Sequence, residues 1–148
     1  MPNWIEGVLK IRGSEDNVKK FMRETLTGLY EEHIPSLNCV IFHVSEDSYF
    51  KDSKRLFVAK EPDIEFDDYS DNHVYLIYLI EVKQAWDFDI PYFVEQSRKY
   101  QIDFRITGYE CGMQFSHMFE IDKGTIITDI SLKYSDYEWE CPFPTLGG

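Results

Sequence analysis

Basic residues are scarce in this chain: 15 lysines and arginines stand against 27 aspartates and glutamates in 148 residues, for a formal net charge of −12. That imbalance argues against a general binder of phosphate backbones, whose affinity comes from lysine and arginine contacts that release counterions. It also argues against attraction to an anionic membrane. Cysteine is equally sparse. Cys39, Cys111 and Cys141 are odd in number and show no CxxC or other close metal spacing, so neither a disulfide framework nor a zinc knuckle is expected, and a reducing compartment is the simpler reading. Long apolar runs are missing as well. The longest, Val74 to Ile80, falls far short of the ~20 residues of a membrane-spanning helix. The opening Met1-Pro2-Asn3-Trp4-Ile5-Glu6 has no basic stretch followed by an apolar one, so no secretory signal is expected and the cytoplasm is the expected location. GxGxxG, P-loop and GxSxG signatures are all absent.

What is present suffices for one compact domain. Hydrophobic residues make up 43% and aromatics 16%, and a chain of this size buries roughly 68–70% of its unfolded surface. Ile5, Leu9 and Ile11 alternate toward Gly13 as a first strand. Ser14 then caps a helix whose first turn holds Glu15 and Asp16. Val18, Phe21, Met22, Thr25, Leu26 and Leu29 recur at helical spacing, predicting an end near Tyr30 to His33, before Pro35. Strands are expected at Asn38–Val44 and Arg55–Ala59. Glu61 to Asp71 reads as a solvated excursion, and His73–Lys83 as a central strand covered on both faces. Pro91 opens a second helix to about Tyr100, with Phe93, Val94 and Ser97 inward. Ile102–Thr107 is a strand, and Met113–Ile121 and Thr125–Leu132 form a hairpin around Asp122-Lys123-Gly124. The predicted order, β-α-β-β-β-α-β-β-β, is that of an α+β fold: a ferredoxin-like, mostly antiparallel sheet with two helices on one face and an added C-terminal hairpin. Residues 1–134 are expected to form this domain, and 135–148 a loosely held acidic and aromatic tail.

Met1-Pro2-Asn3-Trp4, the strand ending Ile11-Arg12-Gly13 and the capped helix resemble the opening of the YubB-like ferredoxin-like family of phage- and plasmid-borne proteins. Trp86, Pro91, the stretch Ser97 to Phe104 and then Tyr109-Glu110-Cys111-Gly112-Met113-Gln114-Phe115 extend the resemblance over most of the chain, though not over Glu46–Asp71 or beyond Tyr134. The resemblance implies a ferredoxin-like fold and a mobile-element origin, and implies no catalytic residues. Trp4, Gly13, Glu110, Gly112 and Phe115 carry it, and turn geometry and core packing account for most of them.

Charge distribution carries the functional expectation. Between Glu61 and Asp89 nine acids face one lysine, so this segment holds two thirds of the net charge. Asp63, Glu65 and Asp67 have the first three spacings of a calcium loop, but position six is Asp68 rather than Gly and position twelve is Val74 rather than Glu, so no EF-hand is expected. His33, His43, His73 and His117 form no HxH or HExxH pair, and no cofactor or metal is expected. The segment is also aromatic. Glu61, Asp63, Glu65, Asp67, Asp68, Asp71, Trp86, Asp87 and Asp89 are therefore the candidate partner-binding residues, steering toward a basic surface with aromatic anchors. The expected role is non-enzymatic: binding and inhibition of a basic, nucleic-acid-handling host protein such as a CRISPR-associated or other defence nuclease, an anti-CRISPR-like counter-defence with no direct nucleic-acid contact. The alternative is a small ligand-binding or enzymatic domain with a cleft near Glu110 and His117. RNA binding through sheet aromatics such as Tyr75 and Tyr78 suits the fold but opposes the charge.

Overall fold

The computed structural model describes residues 1–67 and 76–148. The alternation read from Ile5 to Gly13 forms β1 (Trp4–Gly13), with Ile5, Leu9 and Ile11 fully buried. Ser14 caps α1 (Glu15–Thr25), its hydroxyl accepting from the Asn17 amide at 3.3 Å. The helix stops at Thr25, earlier than its apolar spacing predicts. Leu26 turns to extended backbone and Gly28 takes a positive φ of 65°, so the chain reverses direction. Leu26 and Leu29 still pack on the core, from extended backbone instead of a helix. Leu29–Ile34 is thus a strand, β2, and Cys39–Val44 is β3.

Leu56–Val58 forms the short β4. The segment from Glu61 is not simply a loop: Asp63–Asp67 is β5, with Ile64 and Phe66 buried between exposed carboxylates. Alternation outweighs acidity there, because the two apolar side chains have a hydrophobic surface to meet. Asp68, Asp71, His73 and Tyr75 lie outside the described residues. β6 (Leu76–Ala85) lies one strand in from the edge instead of at the centre of the sheet, paired along its length with β1 but with β4 only at Val82–Gln84, and it is covered on one face only, since Ile77 and Leu79 are 60% and 54% exposed. α2 (Ile90–Tyr100) begins with Pro91 in its first turn and turns Phe93 and Ser97 inward, with Val94 partly buried. β7 (Asp103–Glu110), β8 (Phe115–Asp122) and β9 (Thr125–Lys133) complete the sheet. The predicted hairpin turn is Lys123-Gly124, both at positive φ (44° and 85°), the two-residue form whose twist matches its strands.

The result is α+β. One six-stranded sheet has the order β4-β6-β1-β7-β8-β9, one three-stranded sheet the order β2-β3-β5, and every pairing is antiparallel. Both helices lie on the same face of the large sheet: Phe21 of α1 and Phe93 of α2 each meet Phe104 edge-on, with centroids 5.4 Å apart. The small sheet packs against the other side of α1. There Lys19 sits over Phe66 and Arg23 over Phe42, each 5.2 Å from the ring centroid, and Arg23 bonds Glu31 at 2.6 Å. A single core runs through both sheets.

The tail is not loose. Asp136 caps a short helix, α3 (Tyr137–Glu140), and Tyr137 and Cys141 are buried against Tyr109. The Gly148 amide donates to the Trp4 carbonyl at 2.8 Å, which ties the end of the chain to β1. Among the described residues no helix is long and apolar enough to cross a membrane.

Candidate functional site

Pairing in the small sheet sets which acids stand together. Residues directly opposite in an antiparallel pair point to the same face. Tyr30 faces His43, which faces Asp63; Glu32 faces Ile41, which faces Glu65; Cys39 faces Asp67. The outer face of this sheet therefore carries Glu32, Asp63, Glu65 and Asp67, with the exposed ring of Tyr30 at one end. Along β5 the carboxylates recur every ~6.8 Å, the two-residue repeat of a strand. None of the three strands contains a lysine or arginine.

Among the described residues the basic side chain on this face is His43. Its Nδ1 lies 2.7 Å from Asp63 Oδ1 and its Nε2 lies 3.2 Å from Glu32 Oε1, while the ring stacks on Tyr30 at 5.9 Å. Hydrogen bonds to Asp63 and then Glu32 raise the imidazole pKa above its ordinary value. Among the described residues one histidine stands against four carboxylates on this face, which leaves it negative whether or not the ring is protonated. Beside it an open 270 Å³ pocket is bordered by Tyr30, His43, Glu61 and Asp63.

The remaining sequence-predicted residues fall elsewhere. Trp86, 56% exposed and at a positive φ of 70°, begins the loop between β6 and α2 on the large sheet. With Asp87 and Asp89 it lines an open 530 Å³ groove shared with Lys54 and Arg55, so the charge there is mixed. Asp89 occupies the cap position of α2, where a carboxylate complements the positive end of the helix dipole. Asp87 accepts from the Phe88 amide at 2.7 Å and meets His117 Nδ1 at 2.6 Å. Asp129 of β9 meets His117 Nε2, also at 2.6 Å.

His117 is therefore a buried ring held between two carboxylates, against Phe88 and Phe119. Burial lowers its pKa, but the bonds to Asp87 and Asp129 outweigh that and leave it raised. Both ring nitrogens face acceptors, so the imidazolium is the form that satisfies both contacts. Glu110 is fully buried and turns to other partners: it accepts from the Gly112 and Met113 amides at 2.7 Å each, closing the β7–β8 loop. Glu110 and His117 share a face of adjacent strands, yet their polar atoms serve separate internal contacts and no described pocket is lined by both. Tyr78 points inward, 4.9 Å from Phe66, and offers no stacking platform on the open face. Among the described residues no group of three or more histidine, cysteine or acidic side chains is placed to hold a metal ion.

His43 lay in an expected strand, but its acidic neighbours come from the pairing of β2 and β5 with β3; Tyr30 and Glu32 escaped sequence reasoning because Leu29 continued the helical spacing of α1, and the alternation of Tyr30 and Glu32 was the available signal. The Asp87–His117–Asp129 clamp had none, its members being 30 and 12 residues apart. Comparison of the chain with protein-family models, curated proteins and solved structures finds no match.

Proposed function

We propose that this protein binds a basic, nucleic-acid-handling protein through the carboxylate face of its small sheet and blocks the groove in which that partner takes phosphates. The observation that carries this reading is the strand face itself: Glu32, Asp63, Glu65 and Asp67 on one side of a three-stranded sheet whose strands hold no lysine or arginine. Carboxylates offer arginine the same forked pair of acceptors that a phosphate does, and charge-assisted bonds of this kind are short and strong. Setting them on a packed strand removes the ordering cost that a loose acidic loop would incur on binding. The net charge of −12 adds long-range steering toward a basic partner.

The resemblance of the Trp4 and Glu110 regions to YubB-like mobile-element proteins supports a counter-defence setting. In it the partner is a host defence nuclease, CRISPR-associated or other, met in the host cytoplasm. The ferredoxin-like core of that reading is β1-α1-β4-β6-α2-β7, whose sheet order β4-β6-β1-β7 supports it, with the small sheet inserted and β8 and β9 added at one edge. The test is charge reversal. Asp63→Lys, Glu65→Lys and Asp67→Lys together alter exposed side chains, so the circular dichroism spectrum stays as in the parent. Capture of the partner from host lysate is expected to be lost. Capture undiminished by the triple reversal refutes the assignment of this face.

A further inference from the structure

Trp86 is an exposed tryptophan at the middle of a strained turn. Its amide donates to the Asn3 carbonyl at 2.8 Å, and the Asp87 amide donates to the Ala85 carbonyl at 2.9 Å across a Trp86 φ of 70°. A three-residue turn closed in this way, with its middle residue at positive φ, is rare and strained, and a bulky side chain there is an outlier. Packing does not offset the strain, since the side chain is 56% exposed. Arg55 lines the same groove and is also held at a positive φ, 52°. Outliers of this kind gather at binding sites, where the surrounding structure holds them in place. Here that structure is Gln84. Its fully buried amide ties the two walls together, the nitrogen donating to the Lys54 carbonyl and the oxygen accepting from the Asp89 amide, each at 3.0 Å. The 530 Å³ groove between the walls is thus pre-formed, within the roughly 300–1,000 Å³ of small-molecule sites.

Four side chains bring chemistry to the groove. Lys54 and Arg55 are exposed, and neither is in an ion pair among the described residues. Asp87 is already engaged by the Phe88 amide and His117, whereas the Asp89 carboxylate makes no bond to the helix it heads. We propose that this groove binds a ribonucleoside 5′-monophosphate, with the base stacked on Trp86, the phosphate held by Lys54 and Arg55, and a ribose hydroxyl donating to Asp89. An open indole face accepts any base. The guanidinium fork and the ammonium suit phosphate oxygens, and a carboxylate is a common acceptor for the ribose 2′-hydroxyl. A bare anion would leave Trp86 unused and stand beside Asp89, and a neutral aromatic would leave both cations unused. Two cations match the charge of about −2 on one phosphate monoester, while the net charge of −12 opposes a polyanionic strand. The groove belongs to the large sheet, so the inference does not rest on the proposed acidic face.

Isothermal titration calorimetry of the full-length chain with AMP and GMP tests it, with adenosine, inorganic phosphate and 2′-deoxy-AMP as comparison probes. Saturable binding of AMP or GMP is expected. Adenosine and inorganic phosphate each lack one of the main contacts and are expected to bind about tenfold or more weakly, and 2′-deoxy-AMP more weakly than AMP. Trp86→Gly relieves the positive φ, so its Tm is expected at or above the parent's while its AMP affinity falls about tenfold or more, as for loss of one stacked base. Lys54→Ala with Arg55→Ala is expected to bring AMP down to the affinity of adenosine. No binding of either nucleotide at about millimolar concentration overturns the inference. So does adenosine, inorganic phosphate or 2′-deoxy-AMP bound as tightly as AMP, or an AMP affinity unchanged by Trp86→Gly.

Discussion

Replacing His117 by leucine keeps an apolar group of similar bulk against Phe88 and Phe119 but removes both donors from the clamp. Hydrogen bonds to charged groups contribute about 1.5–3 kcal/mol each. Asp87 and Asp129 are 46% and 40% exposed and so regain water once the ring is gone, which brings the loss to about 1 kcal/mol per bond. A total near 2 kcal/mol is expected below pH 6, equivalent to about 4–8 °C in Tm for a domain of this size. The pH dependence is the discriminating part. The folded-state pKa of His117 lies above its unfolded value, so its contribution is fully present below about pH 6.5 and is lost as pH rises through the folded value. The difference in unfolding free energy between parent and His117→Leu should therefore shrink steadily from pH 6 toward pH 9 in urea titrations. A difference that stays constant across that range, or grows, refutes the charged clamp.

Three further outcomes follow from the packing. Gly108→Ala places a methyl group against the Phe88 ring and within 2.9 Å of Ile5, so a loss of about 2–3 kcal/mol is expected in urea unfolding, with Gly124, in the solvent-side turn, no substitute control because of its positive φ. Asp103 is buried and its pKa is pushed up by desolvation but pulled further down by bonds from Arg12 and Lys123. Its contribution is present above about pH 3.9 and lost as pH falls through the lower folded value, so Asp103→Asn should cost about 1–3 kcal/mol at pH 7 and much less near pH 2. Ending the chain at Tyr134 removes Tyr137 and Cys141 from their contact with Tyr109, a loss of about 2–4 kcal/mol by buried side-chain area, read as a lower Tm with the helical and strand content of the remainder retained.

Much of the large sheet was legible in the sequence because its strands alternate against a covered face: Ile5, Leu9 and Ile11 in β1, and the Lys123-Gly124 turn between β8 and β9. The small sheet was not. β2 follows a helix without a proline between them, and Leu26 and Leu29 extend the helical spacing by two apolar residues whose packing is tertiary. β5 is acidic at three of five positions, and composition pointed to solvent while the alternation of Ile64 and Phe66 pointed to a strand. Local charge could not reveal which acids stand together. Pairing of β2, β3 and β5 does, bringing Glu32 to Asp63 and Glu65 and sending Asp87 to His117 in the other sheet. The tail looked loose because its acids dominate, yet Tyr137 and Cys141 bury against Tyr109, Phe143 meets the same ring and the Gly148 amide bonds the Trp4 carbonyl.

The central claim is that the face formed by Glu32, Asp63, Glu65 and Asp67 occupies a phosphate-binding groove. Fluorescence anisotropy of labelled duplex DNA bound to the captured partner tests it most directly. The account predicts that the parent protein displaces the DNA, that displacement weakens as salt rises, and that Asp63→Lys, Glu65→Lys and Asp67→Lys together weaken it about a hundredfold or more, about 3 kcal/mol. A ternary complex in which DNA stays bound, or displacement equal for the parent and the triple reversal, contradicts it.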